Sequence, residues 1–457
     1  MPDASAAAVE ASSAARSKSR GKLLQVLGVS FGIAVIIGNT IVVGILRTPG
    51  DVAERLPSPA LFLGVWVIGG IYALLGAISL AEPGAMLARS GGQYVIVRRG
   101  LGEYPGFVVG WSDWLSTCAT IALGAIVFTE YLEPLLPAMA GRRVAAGVVL
   151  VLLFGLLLWR GIKVGDLSQQ ILSALKALAF GTLIGVCLLW PVAAREPVAP
   201  AVLPAGMALV TAVVMALQAV IYTHDGWTGP LYFGEELKNG GRGIPRAMVL
   251  GVLFVMMIYL LVNVAFVRVL GIERMAGDPF VAVTAGKALF GDKADLVIRS
   301  LVLLSILGGM NALLLMAPRV VLAMGRDRLL PSGFERVNAG GTPTVGHWTS
   351  VGVAVGFIIS GTFNTVLALC AFFFVASYSL SFVSVFALRR KEPDTPRPYR
   401  VPGFPFTTGL VLVLSLAFLV GSVVSDWGNS WKSLVLLALS YPAYRLIVAR
   451  RNRAGAS

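Results

Sequence analysis

Residues that could bind a charged solute or carry protons concentrate in one stretch, Tyr222–Glu236, which reads Y-T-H-D-G-W-T-G-P-L-Y-F-G-E-E. Long apolar runs flank this stretch, yet it carries His224, Asp225 and Pro230 close together. In a bilayer, backbone groups freed by a helix break must be satisfied by protein or by a watery cavity, and an ionisable residue there marks a functional site. We therefore predict a broken transmembrane helix that forms part of a solute site. The structural alternative is a Gly/Pro kink with one buried polar pair.

A second interrupted segment lies near the start of the chain. Residues Gly38–Gly50 read G-N-T-I-V-V-G-I-L-R-T-P-G, so glycine and polar residues break the first long apolar run before Pro49. This segment opens the first of two halves that each contain five apolar runs, and Tyr222–Glu236 lies at the matching place in the second half. Interruptions at corresponding positions of two halves are the best sequence indication of a transporter's binding site.

The composition shows which elements must position these two segments. Hydrophobic residues make up 57% of the 457 residues and charged residues 13%, and the mean hydropathy is +0.82. Many apolar runs approach the ~20 residues that cross a bilayer as a helix. The sequence predicts an all-α integral membrane protein with twelve transmembrane helices. The predicted spans are 23–46, 60–82, 105–128, 144–159, 167–190, 207–236, 246–270, 294–323, 347–362, 364–388, 407–424 and 430–448.

The net charge of +14 comes from basic residues in the short loops between the predicted spans. Basic patches interleaved with aromatic residues, which would indicate nucleic acid binding, are absent from these loops. Most of the 37 Lys and Arg residues fall on the side of the bilayer that holds both termini. Because Lys and Arg are enriched in cytoplasmic loops, the sequence predicts a multi-pass protein of the cytoplasmic membrane with both termini inside.

Two further charged residues lie within predicted spans. Lys176 is the single cation of the fifth span, so it should face the bundle interior and pair with carbonyls or a carboxylate. Asp113 lies about two turns into the third span, where a structural polar contact is favoured over a proton relay. The mixed basic and apolar segment 88–102 fits either a helix at the membrane interface or an ordinary charged loop.

Catalytic and metal-binding patterns are missing from the sequence. It contains no P-loop, no metal-ligand spacing and no nucleophile motif, so neither an enzyme nor a bound cofactor or metal is expected. Cys118, Cys187 and Cys370 all fall inside apolar runs, which argues against a disulfide framework. With no cysteine in an outside loop, we expect no covalently attached heavy subunit.

Five motifs occur in order over nearly the whole chain. They are Val42-Val43-Gly44-Ile45-Leu46 with Thr48-Pro49, Ser90-Gly91-Gly92-Gln93-Tyr94, Tyr222 to Trp227 with Glu235-Glu236 and Ile244-Pro245-Arg246-Ala247, Arg319 with Ala323-Met324-Gly325-Arg326-Asp327, and Arg397-Pro398-Tyr399-Arg400-Val401-Pro402. In this order and spacing the motifs resemble the amino acid–polyamine–organocation (APC) superfamily of permeases, in its bacterial amino acid permease form.

The resemblance implies a core of ten helices, within 22–391, that forms a 5+5 inverted repeat with broken helices 1 and 6. It implies that helices eleven and twelve, within 392–457, are peripheral and that a basic tail follows them. The segment 1–21 is rich in Ala and Ser and is predicted to be a disordered cytoplasmic tail.

By the same resemblance, the substrate is an amino acid or a closely related amine. Its carboxylate would meet free backbone N–H groups at the break in the first span, and its amino group the carbonyls freed in spans one and six. The candidate substrate-binding residues are Val42, Val43, Gly44, Ile45, Tyr222, Thr223, His224, Asp225, Gly226 and Trp227. Val42 and Val43 stand where the family has glycine and serine, and their branched side chains hinder a close approach to this backbone.

Lys176, Asp225 and His224 are the candidates for coupling or for replacing an ion. Lys176 matches the family's fifth-span lysine, whose ammonium occupies the place of a sodium ion in related folds, so the resemblance implies transport without sodium. His224 and Asp225 either take part in proton coupling, since histidine is the side chain best suited to a switch near neutral pH, or hold the broken segment in shape.

These expectations together predict a secondary active transporter that moves amino acids by alternating access. Sodium-independent exchange and proton coupling both fit the sequence. A non-transporting amino-acid sensor or partner subunit on the same scaffold is the alternative from another functional class.

Overall fold

The computed structural model describes residues 22–42, 44–191, 202–291, 294–360, 363–425 and 427–454. Within these ranges the chain is helical and contains no β-strand. Val43 of the candidate site and the predicted tail 1–21 lie outside the described residues.

In the part of the first half that the structure describes, the chain forms seven helices around the first interruption. They are α1 (Val29–Thr40), α2 (Gly44–Arg55), α3 (Pro59–Leu87), α4 (Gln93–Leu101), α5 (Glu103–Leu132), α6 (Arg143–Trp159) and α7 (Ile162–Leu189). The segment 88–102, which fitted either a helix or a loop, therefore contains a helix, and two arginines lie in its last turn.

The described residues of the second half and the C-terminal part form nine helices. They are α8 (Met207–Thr223), α9 (Gly240–Leu270), α10 (Ile272–Met275), α11 (Val281–Phe290), α12 (Ala294–Arg326), α13 (Thr344–Ser360), α14 (Phe363–Lys391), α15 (Phe406–Ser425) and α16 (Trp427–Ala454). Three short 3₁₀ turns occur in the described ranges, at Pro137–Met139 in the first half and at Gly229–Phe233 and Ser332–Glu335 in the second.

Among the residues that the structure describes, five helices, α3, α5, α7, α9 and α12, are long and apolar enough to cross a bilayer. The pair α1 and α2 meets the same test as a single span bent by 48°, and several shorter apolar helices accompany them. This pattern supports a multi-pass membrane protein in which the first span is broken. The total of twelve spans stays a prediction.

Glycines let α1 pack closely between α7 and α9. A Cβ atom on Gly38 would lie 1.9 Å from Nε2 of Gln169 on α7. On the opposite side of α1, a Cβ atom on Gly251 of α9 would lie 2.5 Å from Cδ1 of Ile36. Side chains at either glycine would push the helices apart, so these two residues set the position of the first interruption.

Candidate functional site

The break between α1 and α2 frees backbone carbonyls inside the bundle. Helix α1 ends at Thr40, Ile41 and Val42 lie outside it, and α2 begins at Gly44. The carbonyl of Gly38 and that of Ile41 have no helical partner of their own, because the residues four positions later do not continue α1. Since an unsatisfied buried carbonyl is costly, the surrounding helices must supply donors.

Lys176 supplies two of these donors from α7. Its ammonium Nζ lies 3.0 Å from the carbonyl oxygen of Gly38 and 2.5 Å from that of Ile41, and the residue is fully buried. The sequence prediction that Lys176 faces the interior and pairs with carbonyls is confirmed by these contacts.

Lys176 is the last of three polar residues on one face of α7. Gln169 and Ser173 precede it at helical spacing, and both donate to the carbonyl of Ala34, at 3.0 and 2.7 Å. Asn311 of α12 in turn donates to Oε1 of Gln169 at 2.7 Å. This row of donors runs parallel to α1 and holds its C-terminal end against α7.

The second interruption begins where α8 ends at Thr223. Successive turns follow, in which the amide of Asp225 bonds the carbonyl of Tyr222 at 3.0 Å and the amide of Gly229 bonds that of Gly226 at 3.2 Å. The 3₁₀ turn Gly229–Phe233 then carries the chain onward. The structure therefore confirms that the helical path is lost between Thr223 and Phe233.

The two interruptions touch at Gly226. Its φ angle is +118°, and a Cβ atom built there would lie 2.6 Å from Oγ1 of Thr40 and 2.9 Å from the Thr40 amide nitrogen. Both the backbone conformation and the lack of space require glycine. A second contact joins the interruptions nearby, since the hydroxyls of Thr48 and Thr223 lie 2.8 Å apart.

Tyr259 of α9 joins the C-terminal ends of both broken helices. Its hydroxyl lies 2.7 Å from the carbonyl oxygen of Thr40 and 3.0 Å from that of Thr223, and the residue is 1% exposed. Tyr259 is not among the residues predicted from the sequence. The available signal was a tyrosine at the centre of a long apolar run, where a hydroxyl needs a buried partner.

The side chain of His224 lies between α3 and α9. Its Nδ1 is 2.9 Å from the carbonyl oxygen of Val220, and its ring packs against Trp66 and Tyr259 at centroid distances of 5.9 and 4.8 Å. Nε2 is buried and has no hydrogen-bond partner in the part of the chain that the structure describes. The imidazole therefore binds the end of α8 and contributes to the packing behind the break.

Asp225 and Trp227 face α14. The carboxylate of Asp225 accepts a hydrogen bond from the hydroxyl of Tyr378. Trp227 stacks on Tyr378 at 4.8 Å and on Phe382 at 6.4 Å, and it is 2% exposed. Its other neighbour is Gly76 of α3, where a Cβ atom would lie 2.8 Å from the indole ring. Trp227 is therefore packed between α3 and α14 beside the second interruption.

The remaining candidates lie around the first break. Ile45 is fully buried, Val42 is half-buried and Tyr222 is half-buried at the end of α8. A Cβ atom on Gly309 of α12 would lie 2.9 Å from Cγ2 of Val42, so the valine occupies the space that this glycine leaves open. Gly44 and Thr223 also lie close together, because a Cβ atom built on Gly44 would be 3.1 Å from the methyl carbon of Thr223.

A buried ion pair fixes the end of the second interruption. Arg319 of α12 bonds Glu236 through Nε at 2.5 Å and Nη2 at 2.7 Å, and its guanidinium lies 4.4 Å from the ring centre of Phe233. Both charged residues are almost fully buried. Removing one partner of such a pair costs about 3–5 kcal/mol, so this contact holds the segment firmly against α12.

A family model described as amino acid permease matches residues 24–440 of the chain. The chain belongs to the amino acid permease family. It is 26% identical to the serine/threonine exchanger SteT of Bacillus subtilis, over 92% of this chain and 95% of that protein. It is also 26% identical to the mouse b(0,+)-type amino acid transporter 1, over 91% of this chain and 86% of that one. It is 29% identical to the human large neutral amino acids transporter small subunit 2, over 88% of this chain and 76% of that protein.

These relatives are transporters and exchangers, which places the permease described here among membrane transport proteins and not among enzymes. The fold agrees with this assignment, because the chain forms apolar helices around two interruptions. Within the described ranges, no group of three or more His, Cys, Asp or Glu side chains is placed to hold a metal ion.

Replacing Tyr259 by phenylalanine tests how the two breaks are held together. We expect Tyr259→Phe to fold but to lower the thermal unfolding temperature and the rate of amino-acid uptake. The phenyl ring keeps the packing, whereas the two buried carbonyls lose the single hydroxyl proton that they share, at about 1–3 kcal/mol in total. Tyr444→Phe is the matched control, because the Tyr444 hydroxyl bonds Glu103 at the edge of the bundle. Equal behaviour of the two variants would contradict the role assigned to Tyr259.

Proposed function

We propose that the permease is a secondary active transporter that moves amino acids or closely related amines across the cytoplasmic membrane by alternating access. The observation that carries the proposal is the contact of two broken helices at Gly226, where backbone groups of both are left unpaired by their own helices. Such paired breaks at the centre of a bundle form the substrate site in transporters built from inverted repeats.

Helix polarity divides the proposed site into two halves. The first amides of α2, at Gly44 and Ile45, have no partner within their helix, and a helix N-terminus carries about +0.5 of a charge. The amides of Gly44 and Ile45 therefore suit the substrate carboxylate. The C-terminal ends of α1 and α8 present carbonyls near Thr40 and Thr223, which suit the substrate ammonium.

The side chains around the breaks would line the substrate on the other sides. We assign Val42, Tyr222, Asp225 and Trp227 to this lining, and Val43, which lies outside the described residues, stays a candidate from the sequence alone. His224 is assigned to holding the end of α8, because its ring lies against Trp66 and Tyr259.

Orientation and partners follow from charge and cysteine position. We propose that both termini are cytoplasmic, because most Lys and Arg residues lie on their side of the predicted spans. We also propose that the permease works without a covalently attached heavy subunit. Of the cysteines that the structure describes, Cys118 and Cys187 are buried within helices and offer no external thiol.

Transport is tested by reconstitution into proteoliposomes and a screen of radiolabelled amino acids and polyamines. Uptake is measured with unlabelled amino acid inside, which detects exchange, and separately with an imposed proton gradient. Accumulation of at least one compound supports the proposal. Substrate-dependent stabilisation without flux under either condition would instead favour a sensor or partner subunit on the same scaffold.

Uptake is expected not to require sodium. Lys176 already places an ammonium group at 3.0 and 2.5 Å from the carbonyls of Gly38 and Ile41, so these oxygens have no vacancy for a metal cation. Replacing external sodium by N-methylglucamine, at constant pH and membrane potential, should leave the uptake rate unchanged. A steep dependence on sodium concentration would reject this expectation.

A further inference from the structure

A cavity of about 420 Å³ lies where the ends of α3, α5 and α12 meet α4. Its charged lining consists of three arginines, Arg89, Arg98 and Arg99, and two carboxylates, Glu103 and Asp327. We call it the arginine cavity. It lies away from the two interruptions, and the proposed substrate site makes no use of its residues.

The carboxylate of Asp327 is shared by two of the arginines. Nη2 of Arg89 lies 2.9 Å from its Oδ1, and Nη1 of Arg98 lies 3.2 Å from its Oδ2. The hydroxyl of Tyr94 also donates to Oδ2, at 2.9 Å. Because one carboxylate cannot neutralise two guanidinium groups, this side of the cavity holds one positive charge in excess.

The other two charged residues of the lining are paired with each other's absence from this balance, since each has a partner elsewhere. Glu103 accepts from both terminal nitrogens of Arg451 on α16, at 2.9 and 3.1 Å. Arg99 bonds Glu392, which follows α14, at 2.6 Å. Each of these pairs is neutral, so the excess charge remains at Arg89 and Arg98.

Arg98 is held in place but keeps donors that the protein does not use. A Cβ atom on Gly106 of α5 would lie 2.6 Å from Cβ of Arg98, so the arginine stem packs against α5. Nε of Arg98 is buried and has no hydrogen-bond partner among the residues that the structure describes. The side chains of Arg89 and Arg98 are 33% and 32% exposed. Since a guanidinium carries five N–H donors, both arginines can bind a further acceptor.

The surroundings of the cavity are those of a membrane interface. Helix α4 lies between the ends of α3 and α5, which are both apolar enough to cross a bilayer. Leu87 and Val95 give the cavity an apolar side. A helix with apolar and basic residues suits the boundary between headgroups and acyl chains. In the proposed orientation this end faces the cytoplasm, where the anionic headgroups of the inner leaflet attract Lys and Arg.

We propose that the arginine cavity binds the phosphate group of an anionic phospholipid. The phosphate oxygens accept hydrogen bonds from Arg89 and Arg98, whose planar guanidinium groups match phosphate geometry, and they neutralise the excess charge. The apolar part of the lipid lies against Leu87 and Val95. Free inorganic phosphate shares the charged chemistry but has no apolar part to place there.

Lipid binding is measured on the purified full-length protein in a neutral detergent. Dioctanoyl phosphatidylglycerol is titrated while the thermal unfolding temperature is recorded, and dioctanoyl phosphatidylcholine and inorganic phosphate are titrated for comparison. A ligand that binds only the folded state stabilises it. We expect a saturable rise with phosphatidylglycerol and a smaller rise with the other two, because choline brings a cation and inorganic phosphate brings no apolar chain.

Two variants with opposite expected effects separate binding from damage to the fold. Arg98→Gln should raise the dissociation constant of phosphatidylglycerol by about tenfold, since it removes a charge-assisted contact. Asp327→Asn removes the carboxylate that competes with the phosphate for both arginines, so it should bind the lipid more tightly. Arg336→Gln is the control for Arg98→Gln, because Arg336 is exposed and does not line the cavity. Arg89→Gln repeats the test if Arg98→Gln does not fold.

The outcomes decide the proposal without reference to transport. Saturable stabilisation by phosphatidylglycerol that weakens in Arg98→Gln but not in Arg336→Gln, and strengthens in Asp327→Asn, supports it. Equal stabilisation by inorganic phosphate overturns the lipid as occupant in favour of a soluble phosphate. Equal stabilisation by phosphatidylcholine, or unchanged affinity in Arg98→Gln, overturns the site. Weaker binding in Asp327→Asn overturns the excess charge as its cause and leaves these residues a structural role only.

Discussion

Replacing Lys176 by alanine is expected to abolish amino-acid uptake and to lower the thermal unfolding temperature. The ammonium is fully buried and bonds the carbonyls of Gly38 and Ile41 at the end of α1. Its removal leaves both oxygens unsatisfied, at about 1–3 kcal/mol for each group. Because these carbonyls flank the first break, the loss falls on the backbone that we assign to the substrate. Proteoliposome uptake and a thermal unfolding curve in detergent measure the two effects.

Two further variants separate charge from packing at this position. Lys176→Met keeps an unbranched side chain of similar length but has no donor, so it should be more stable than Lys176→Ala and equally inactive. Lys163→Met is the control on the same helix, because Lys163 is exposed, and it should behave like the unmodified protein. Uptake at the normal rate by Lys176→Met would show that the ammonium is not needed at the break.

Much of this site could be predicted because its signals are local in sequence. Glycine, proline and ionisable residues inside an apolar run are costly in a membrane helix, so Gly38–Gly50 and Tyr222–Glu236 stand out without any structural information. The same reasoning applies to Lys176, a single cation in an apolar span, which had to find acceptors inside the bundle. The structure supplies those acceptors at Gly38 and Ile41.

The contacts across the bundle could not be predicted from local pattern. Tyr259 lies in a long apolar helix, where a tyrosine does not stand out from its neighbours. Its two partners, Thr40 and Thr223, lie on other helices. Asp113 and Tyr232 are likewise far apart in sequence and meet only because α5 packs beside the 3₁₀ turn. Periodicity gives the face of a regular helix but does not give side-chain directions in a broken segment.

Val42 illustrates how the structure explains a departure from the family pattern. A valine in place of glycine reduces the space at the first break, which the sequence alone indicates. The partner that accommodates it, Gly309, lies on α12, where a Cβ atom would be 2.9 Å from the valine Cγ2. A large residue at one position and glycine at the facing one preserve close packing between α12 and the break. Without the structure, nothing pairs these two positions.

Substitution of Gly226 by alanine is expected to reduce uptake strongly, because this residue is where the two breaks meet. Its φ angle of +118° is unfavourable for any residue with a Cβ atom, and such strain costs about 1–3 kcal/mol. The new methyl group would also lie 2.6 Å from Oγ1 of Thr40 and 2.9 Å from its amide nitrogen. The end of α1 and the segment after α8 would therefore have to separate.

The separation should weaken substrate binding as well as stability, which distinguishes Gly226 from an ordinary packing position. Gly181→Ala is the matched control, since Gly181 lies on α7 with no atom within 4 Å of the added Cβ. We expect Gly181→Ala to leave uptake and unfolding temperature unchanged, and Gly226→Ala to raise the dissociation constant of the substrate in folded, monodisperse protein. Unchanged affinity in that variant would place the substrate away from the contact between the two breaks, because the displaced Thr40 and Thr223 carbonyls are the groups proposed to receive its ammonium.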